Sequence, residues 1–454
     1  MAVLNTAREK APGNPLVAWL LKYGAKVGRP LFAVFLAVII GAVVILFTSP
    51  VPWDQRFQVV WNAYSALWTG SFGDMVSLSN TLVKVTPLIL AGLSIAISFR
   101  AGLFNIGAAG QMVVGAMAAD ILALKEPHWP GWLLIPAMLL VSMLVAGLWG
   151  AIVGFLKAWR GAHEVVTTIM LNWIAFNVTD YLINGPLAAP GGSEQTIALP
   201  PNAQLPQITT VYNQTLGRFL PQADQYQYLV DVGLLIALLA LVVYWFISRR
   251  TSFGYEIRVL GANPKAAIYA GIPAKRNILL VMALAGAFAG LGGALHLMGQ
   301  FPYQLIATTS RIDPTGFDAI GASLLGMNTA VGVLFGSLLF GGLRAASPQV
   351  QASGIPGDIV LVLEALVLFC IASEFIPALR RFVPGWLRFT SLLPERAPSP
   401  TTVTASTTAA VVSAHAEPGV NGDVEVEREK VPSDVAVKEA SDESTGGGTG
   451  AREE

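Results

Sequence analysis

The stretch that decides how this chain is read is FRAGLFNIGAAGQM, residues 99–112. It lies between two strongly apolar runs, yet it carries Arg100, Asn105 and Gln111 among the glycines Gly102, Gly107 and Gly110. Three glycines in so short a span allow the backbone to leave a helix and re-enter one. Non-helical backbone at membrane depth survives only where protein or a water-filled cavity satisfies its polar groups, so a break of this kind points to a translocation path. Asn105 and Gln111 each offer an amide donor and an acceptor, and Phe104 offers a stacking face. Two quieter readings stand beside this one: Asn105 caps a helix starting at Ile106, and Gln111 bonds a neighbouring helix.

The surrounding composition fixes the solvent. Of 454 residues, 54% are hydrophobic and only 12% charged, with a mean hydropathy of +0.59; soluble domains are nearer a quarter charged. A hydrocarbon core of about 30 Å needs roughly 20 apolar residues in a helix, and runs approaching that length recur at 31–47, 85–99, 106–124, 133–156, 165–184, 230–247, 277–299, 317–325 with 331–343, and 359–375. The expectation is an all-α polytopic membrane protein with nine or ten transmembrane segments, some broken or re-entrant. The runs are continuous rather than alternating, which excludes a β-barrel reading. The glycine pairs Gly150/Gly154, Gly286/Gly290 and Gly332/Gly336 have the spacing that lets helices approach closely, within this chain or against a second one.

Lysine and arginine in short loops set the orientation. Arg8, Lys10, Lys22, Lys26 and Arg29 precede the first run, and Arg249, Arg250, Arg258, Lys265, Lys275 and Arg276 lie around residues 248–276. Both regions are therefore expected to be cytoplasmic, along with the C-terminus, and 186–228 is expected to be extracellular. The chain divides accordingly into a cytoplasmic segment 1–30, a membrane domain 31–390 and an acidic tail 391–454. The tail holds twelve acids and five bases and no sustained apolar period, so it is expected to be disordered.

Chemical motifs are missing. Cys370 stands alone and the four histidines show no metal-ligand spacing, so neither a disulfide framework nor a metal centre is proposed. There is no GxxxxGK[ST] phosphate loop, no GxSxG elbow and no GxGxxG opening a helix; no catalytic residue and no bound cofactor is expected, and the chain should not hydrolyse nucleotide by itself. Within the basic loop, NPKAAIYAG reads as a short helix with Asn263 as N-cap, Pro264 in the first turn and Gly271 closing it. Such a helix on the cytoplasmic face is a docking element.

Three stretches carry a resemblance: FRAGLFNIGAAGQMVVGAMAA, HEVVTTIMLNWIAFNVTDYLINGP and TSFGYEIRVLGANPKAAIYAGI. They resemble the signature regions of the ABC-importer permeases that serve simple sugars, branched-chain amino acids and nucleosides, and the second is most similar to the nucleoside-uptake branch. Ala109 stands where family members often have Glu, and Leu260 where valine is usual. The resemblance implies a permease subunit in a prokaryotic cytoplasmic membrane, without an ATPase of its own. It also implies a cytoplasmic ATP-binding subunit that binds the ATP, a second permease subunit, related or identical, an extracellular substrate-binding lipoprotein, and a nucleoside or sugar substrate; nucleic acid is not a partner. Carried onto this sequence, ATPase coupling falls to Gly254, Glu256, Arg258, Gly261, Asn263, Ala266 and Ala267, with Glu256 and Arg258 able to make charge-assisted contacts. Substrate-path candidates are Phe104, Asn105, Gln111, Asn172 and Asn177; the last two are too far apart around a helix to share a narrow face. The competing class is a proton-coupled secondary transporter using Asp180 or Glu364, ionisable groups inside expected spans, for which pairing with a residue such as Arg344 is the structural alternative.

Overall fold

The chain is described by a computed structural model that covers residues 15–49, 51–191, 193–215, 224, 227–307 and 315–372. All of these belong to one compact unit, Met1–Arg388. Arg8, Lys10, residues 373–375 of the last expected run and the tail from Ser391 lie outside the described residues.

Fourteen helices are described: α1 Pro15–Thr48, α2 Trp53–Trp68, α3 Met75–Arg100, α4 Ala108–Lys125, α5 Gly131–Arg160, α6 Glu164–Asn184, α7 Ile208–Gln214, α8 Gly233–Arg250, α9 Ser252–Ala262, α10 Pro264–Tyr269, α11 Ala274–Gly299, α12 Thr315–Leu325, α13 Ala330–Ala352 and α14 Ile359–Ala372. One short antiparallel hairpin pairs Ala188–Ala189 with Ser193–Thr196. Among the described residues, seven helices are long and apolar enough to cross a membrane: α1 from Pro30, α3, α4, α5, α8, α11 and α13. The other expected segments are helical too. Of these, α6 has the length but carries Asn172, Asn177 and Asp180, and α12 and α14 are short.

Local chemistry sets several boundaries. Asp74 starts α3 by accepting a hydrogen bond from Ser77 N at 2.6 Å, which holds its carboxyl below the usual range. Thr329 does the same for α13 through Gly332 N at 3.1 Å, and Gly161, at φ +67°, turns the chain out of α5. Several helices outrun the expected stretches, α3 starting at Met75 rather than 85 and α13 ending at Ala352 rather than 343. Helix α1 begins at Pro15 rather than near residue 31, and α2 was not foreseen, because Asp54, Gln55, Arg56 and Asn62 interrupt its apolar pattern.

The core is built around α11, which packs against α3, α4 and α5. The glycine pairs explain how closely: a Cβ on Gly154 would lie 2.8 Å from Leu279 Cα, and Gly286 and Gly290 sit against the backbone of Ala146 and Ser142. These faces therefore meet within the chain, α5 on α11, and Gly332 and Gly336 likewise face Gly326 and Ala322.

Candidate functional site

The break lies between α3 and α4, where residues 101–107 leave the helix and Gly102 adopts φ +72°. Asn105 and Gln111 are both buried to 1% exposure and bond each other: Asn105 Nδ2 donates to Gln111 Oε1 at 3.1 Å and Gln111 Nε2 donates to Asn105 Oδ1 at 3.4 Å. Asn105 also donates to Ser94 Oγ at 3.2 Å and accepts from Gly107 N at 3.0 Å. Helix α4 starts at Ala108 rather than at Ile106, so Asn105 braces the turn ahead of it. Its first turn is capped instead from another helix. Asn172 of α6 accepts from Gly110 N at 2.9 Å and donates to Ile106 O at 2.9 Å, satisfying one of the four N–H groups that a helix start leaves unpaired. Phe104 is partly exposed and packs edge-on against Phe99 at 4.9 Å.

The same end of the bundle carries a second clamp. Asn328, in the turn between α12 and α13, offers its carbonyl to Arg100 Nε at 2.9 Å and to Tyr244 Oη–H at 2.7 Å. The Arg100 guanidinium lies over the Tyr244 ring, 5.4 Å from its centre.

Helices α9 and α10 form the loop against this end. The expected short helix is present: Asn263 Oδ1 accepts from Lys265 N and Ala266 N, both at 3.1 Å, Pro264 opens the helix, and Gly271 closes it at φ +75°. Glu256, half-buried, and Arg258, still exposed, each bond back onto the bundle. Glu256 Oε2 accepts from Asn277 Nδ2 of α11 at 2.8 Å, and Arg258 donates to the Ser248 carbonyl at the end of α8. Gly254 lies against the Ile247 and Ser248 carbonyls, and Ala267 is buried while Ala266 is exposed. Gly261 sits directly on the break: a Cβ on Gly102 would lie 3.2 Å from Gly261 Cα, and one on Gly261 would strike Arg100 O. The outward tip is apolar, with Ile268 62% and Tyr269 93% exposed.

A cavity of about 910 Å³ reaches from the first turns of α4, at the edge of the break, to the N-terminal half of α3, the C-terminal end of α11, the start of α12 and the C-terminal half of α13. Lys84, His296, Gln300, Gln304, Asp318 and Arg344 are among its lining residues. Lys84 Nζ donates to Gln300 Oε1 at 3.1 Å. Arg344 bridges two carboxylates, Asp318 at 2.8 Å and Glu364 at 3.1 Å, so Glu364 is the paired group of the structural alternative. Asp180 is buried and also engaged. Ala109, the position that often carries Glu in the family, lines this cavity and abuts Gly316.

None of Phe104, Asn105, Gln111, Asn172 and Asn177 lines the cavity. The first four gather at the break, and Asn177 lies apart on the exposed face of α6, in a shallow groove of about 440 Å³ with Trp173 and Tyr181. Lys84, Gln304, Asp318 and Ser347 gave no sequence signal, because each is a single polar residue that only tertiary packing brings to the others; Lys84 and Gln300 are 216 residues apart. Among the described residues no group of His, Cys, Asp and Glu could hold a metal ion.

Comparison with known proteins locates the chain. Residues 77–372 match the family described as branched-chain amino acid transport system / permease component. The guanosine ABC transporter permease protein NupP of Bacillus subtilis is 37% identical over 79% of this chain and 96% of its own length. The nucleoside ABC transporter permease protein NupB of Lactococcus lactis is 35% identical over 77% and 92%, and the glucose ABC transporter permease protein TsgB13 of Haloferax volcanii is 32% identical over 82% and 93%. Each of these organisms also has a second, less similar permease, at 28%, 24% and 27% identity in the same order. No solved structure matches. The chain belongs to the branched-chain amino acid transport system / permease component family.

Proposed function

We propose that this chain is the permease subunit of an ATP-binding-cassette importer that moves nucleosides across the membrane, driven by ATP bound and hydrolysed in a separate subunit. The observation that carries this reading is the seat of α9 on the helix break. A loop whose tip is exposed and apolar is fused, backbone to backbone through Gly261 and Gly102, to the one segment where α3 and α4 are interrupted. A push on α10 reaches the break directly, and the break is tied to α6 through Asn172 and to the α12–α13 turn through Arg100.

In this reading Gly254, Glu256, Arg258, Gly261 and Asn263 shape the docking element, Ala266 and Ala267 let it pack closely, and Ile268 with Tyr269 meets the ATPase. Phe104, Asn105, Gln111 and Asn172 hold the break along the path. The basic residues around residues 248–276 support a cytoplasmic position for α9 and α10, and in this reading the cavity opens to the outside, where a binding lipoprotein would deliver substrate. Amide, imidazole and charged groups on an otherwise apolar wall suit an uncharged ligand with many donors and acceptors. Nucleosides are favoured over sugars because the two relatives above 33% identity are a guanosine and a nucleoside permease, whereas the glucose permease follows at 32%. The second permease subunit is a different chain of the same family: in each of three organisms this chain resembles one permease more and another less.

The test is uptake of radiolabelled guanosine and glucose into cells expressing the chain with and without its ATP-binding subunit. ATPase-dependent guanosine uptake, not reduced by excess glucose, is expected. Glucose uptake alone would move the substrate to sugars, and uptake that needs no ATPase and fails when the proton gradient collapses would overturn the importer reading.

A further inference from the structure

The cavity wall holds its polar groups in pairs, and the pairs differ in what they can offer a ligand. Gln300 Oε1 accepts from Lys84 Nζ at 3.1 Å and its Nε2 donates to Val83 O at 3.4 Å, so both ends of that amide are engaged with protein. Gln304 Nε2 donates to Gln195 Oε1 at 2.7 Å. Arg344 and Asp318 are arranged differently. Both line the cavity, with side chains 23% and 11% exposed, and Arg344 Nη2 meets Asp318 Oδ2 at 2.8 Å. Arg344 Nε turns to Glu364 Oε1 at 3.1 Å, and Glu364 lies outside the lining. Two carboxylates therefore share one guanidinium. A guanidinium carries five N–H donors and a carboxylate about four acceptor positions, more than the contact between them uses. Side by side on one wall, they set a donor next to an acceptor that can take two hydrogens.

We propose that Arg344 and Asp318 read the base of the substrate, selecting nucleosides whose base carries a carbonyl oxygen beside two adjacent N–H donors, the edge of guanine; this rests on the nucleoside-importer reading above. Arg344 donates to the base carbonyl, and Asp318 accepts from the ring N–H and the neighbouring amino group. Hypoxanthine keeps the carbonyl and the ring N–H but lacks the amino group, so inosine makes part of the set. Adenine and cytosine bring an unprotonated ring nitrogen to the carboxylate and an amino group to the guanidinium, so like meets like at both positions. A site built around a hydrogen-bonding group disfavours a ligand that leaves the group unpaired. Glu364 makes the assignment testable: when Asp318 loses its charge, Arg344 keeps one carboxylate, so the guanidinium is not left buried alone.

The experiment is uptake of radiolabelled guanosine, inosine and adenosine by the complete transporter, comparing the parent chain with Asp318→Asn, each rate normalised to the ATP-binding subunit that co-purifies. The binding lipoprotein is the same in both, so a change in the guanosine-to-adenosine ratio belongs to this chain. The amide that replaces the carboxylate offers one acceptor and one donor, which removes the match to guanine. The ratio is expected to fall about tenfold or more, with a smaller change for inosine and an unchanged thermal midpoint. Asp318→Ser, which also leaves the Arg344–Glu364 pair, should show the same fall, and Asp318→Glu should keep the parent ratio. The parent ratio in Asp318→Asn or Asp318→Ser would overturn the proposal. So would an equal loss for all three nucleosides, which would set the shared ribose against the pair instead of the base. Nucleoside uptake that is absent from the parent, or independent of the ATPase, would overturn the importer reading itself, whereas a working parent with an unaltered ratio would overturn only this inference.

Discussion

The break beside α9 and the cavity farther from it differ in what their paired polar groups face. At the α9 end every polar side chain named in the break has a partner inside the protein: Asn105 with Gln111, Asn172 with Gly110 and Ile106, and Arg100 with Asn328. Farther from α9, Lys84 and Gln300, and Arg344 and Asp318, are paired too, but these pairs line open volume. The break is a clamp and the cavity a vestibule. The contrast teaches that an amide in a glycine-rich break need not touch substrate: a broken helix exposes backbone N–H and C=O groups that must be satisfied, and side-chain amides satisfy them at short range.

The largest effect should come from disturbing the seat between loop and break. Gly261→Val drives a side chain into the Arg100 carbonyl, and near-complete loss of uptake is expected with the chain still inserted; normal uptake would show that α9 does not act through the break. Next is Arg344→Met, which leaves Asp318 and Glu364 buried without their shared cation. Losing one partner of a buried pair costs about 3–5 kcal/mol, so a large fall in thermal midpoint is expected, partly restored by adding Glu364→Gln.

A pH effect sharpens the comparison from the vestibule side. Asp231, in the connection ahead of α8, accepts from Gly233 N at 2.6 Å, and burial pushes its carboxyl up to about 6, outweighing that bond. A raised carboxyl pKa means that the folded protein holds the proton more tightly than the unfolded chain. Its stabilising contribution is therefore complete below about pH 4 and is lost as pH rises through 6, a change of about 2–3 kcal/mol. Unfolding measured from pH 4 to 7 should show that loss in the parent chain and not in Asp231→Asn. A smaller effect is expected on the clamp side. Asn172→Leu leaves Gly110 N and Ile106 O unpaired, costing about 1–3 kcal/mol, and Asn172→Asp, which still accepts from Gly110 N but sets a buried carboxylate oxygen against the Ile106 carbonyl, should lose at least as much; an unchanged midpoint in both would mean that the amide clamp carries no weight.

Much of this was legible in the sequence for a physical reason. Membrane helices announce themselves by length and composition, and the cap of α10 is local, so Asn263, Pro264 and Gly271 could be read directly. Helix α2 escaped because its polar residues break the apolar run, and Asp318 escaped because a single carboxylate in an apolar helix says nothing of the arginine that meets it. Glu256 and Arg258 were legible as part of the loop, but not as the groups that fasten it to α8 and α11. Charge in a loop sequence does not say which way it points.

Those two bonds also decide which substitution tests coupling most cleanly, since changing Glu256 or Arg258 would loosen the loop itself. Tyr269, at the tip and 93% exposed, can be changed with little effect on the fold. The measurement is ATPase co-purification together with guanosine uptake for Tyr269→Asp, alongside its thermal midpoint. Loss of both ATPase binding and uptake at an unchanged midpoint is the expected result; full binding and full uptake would contradict the assignment of α10 as the coupling element.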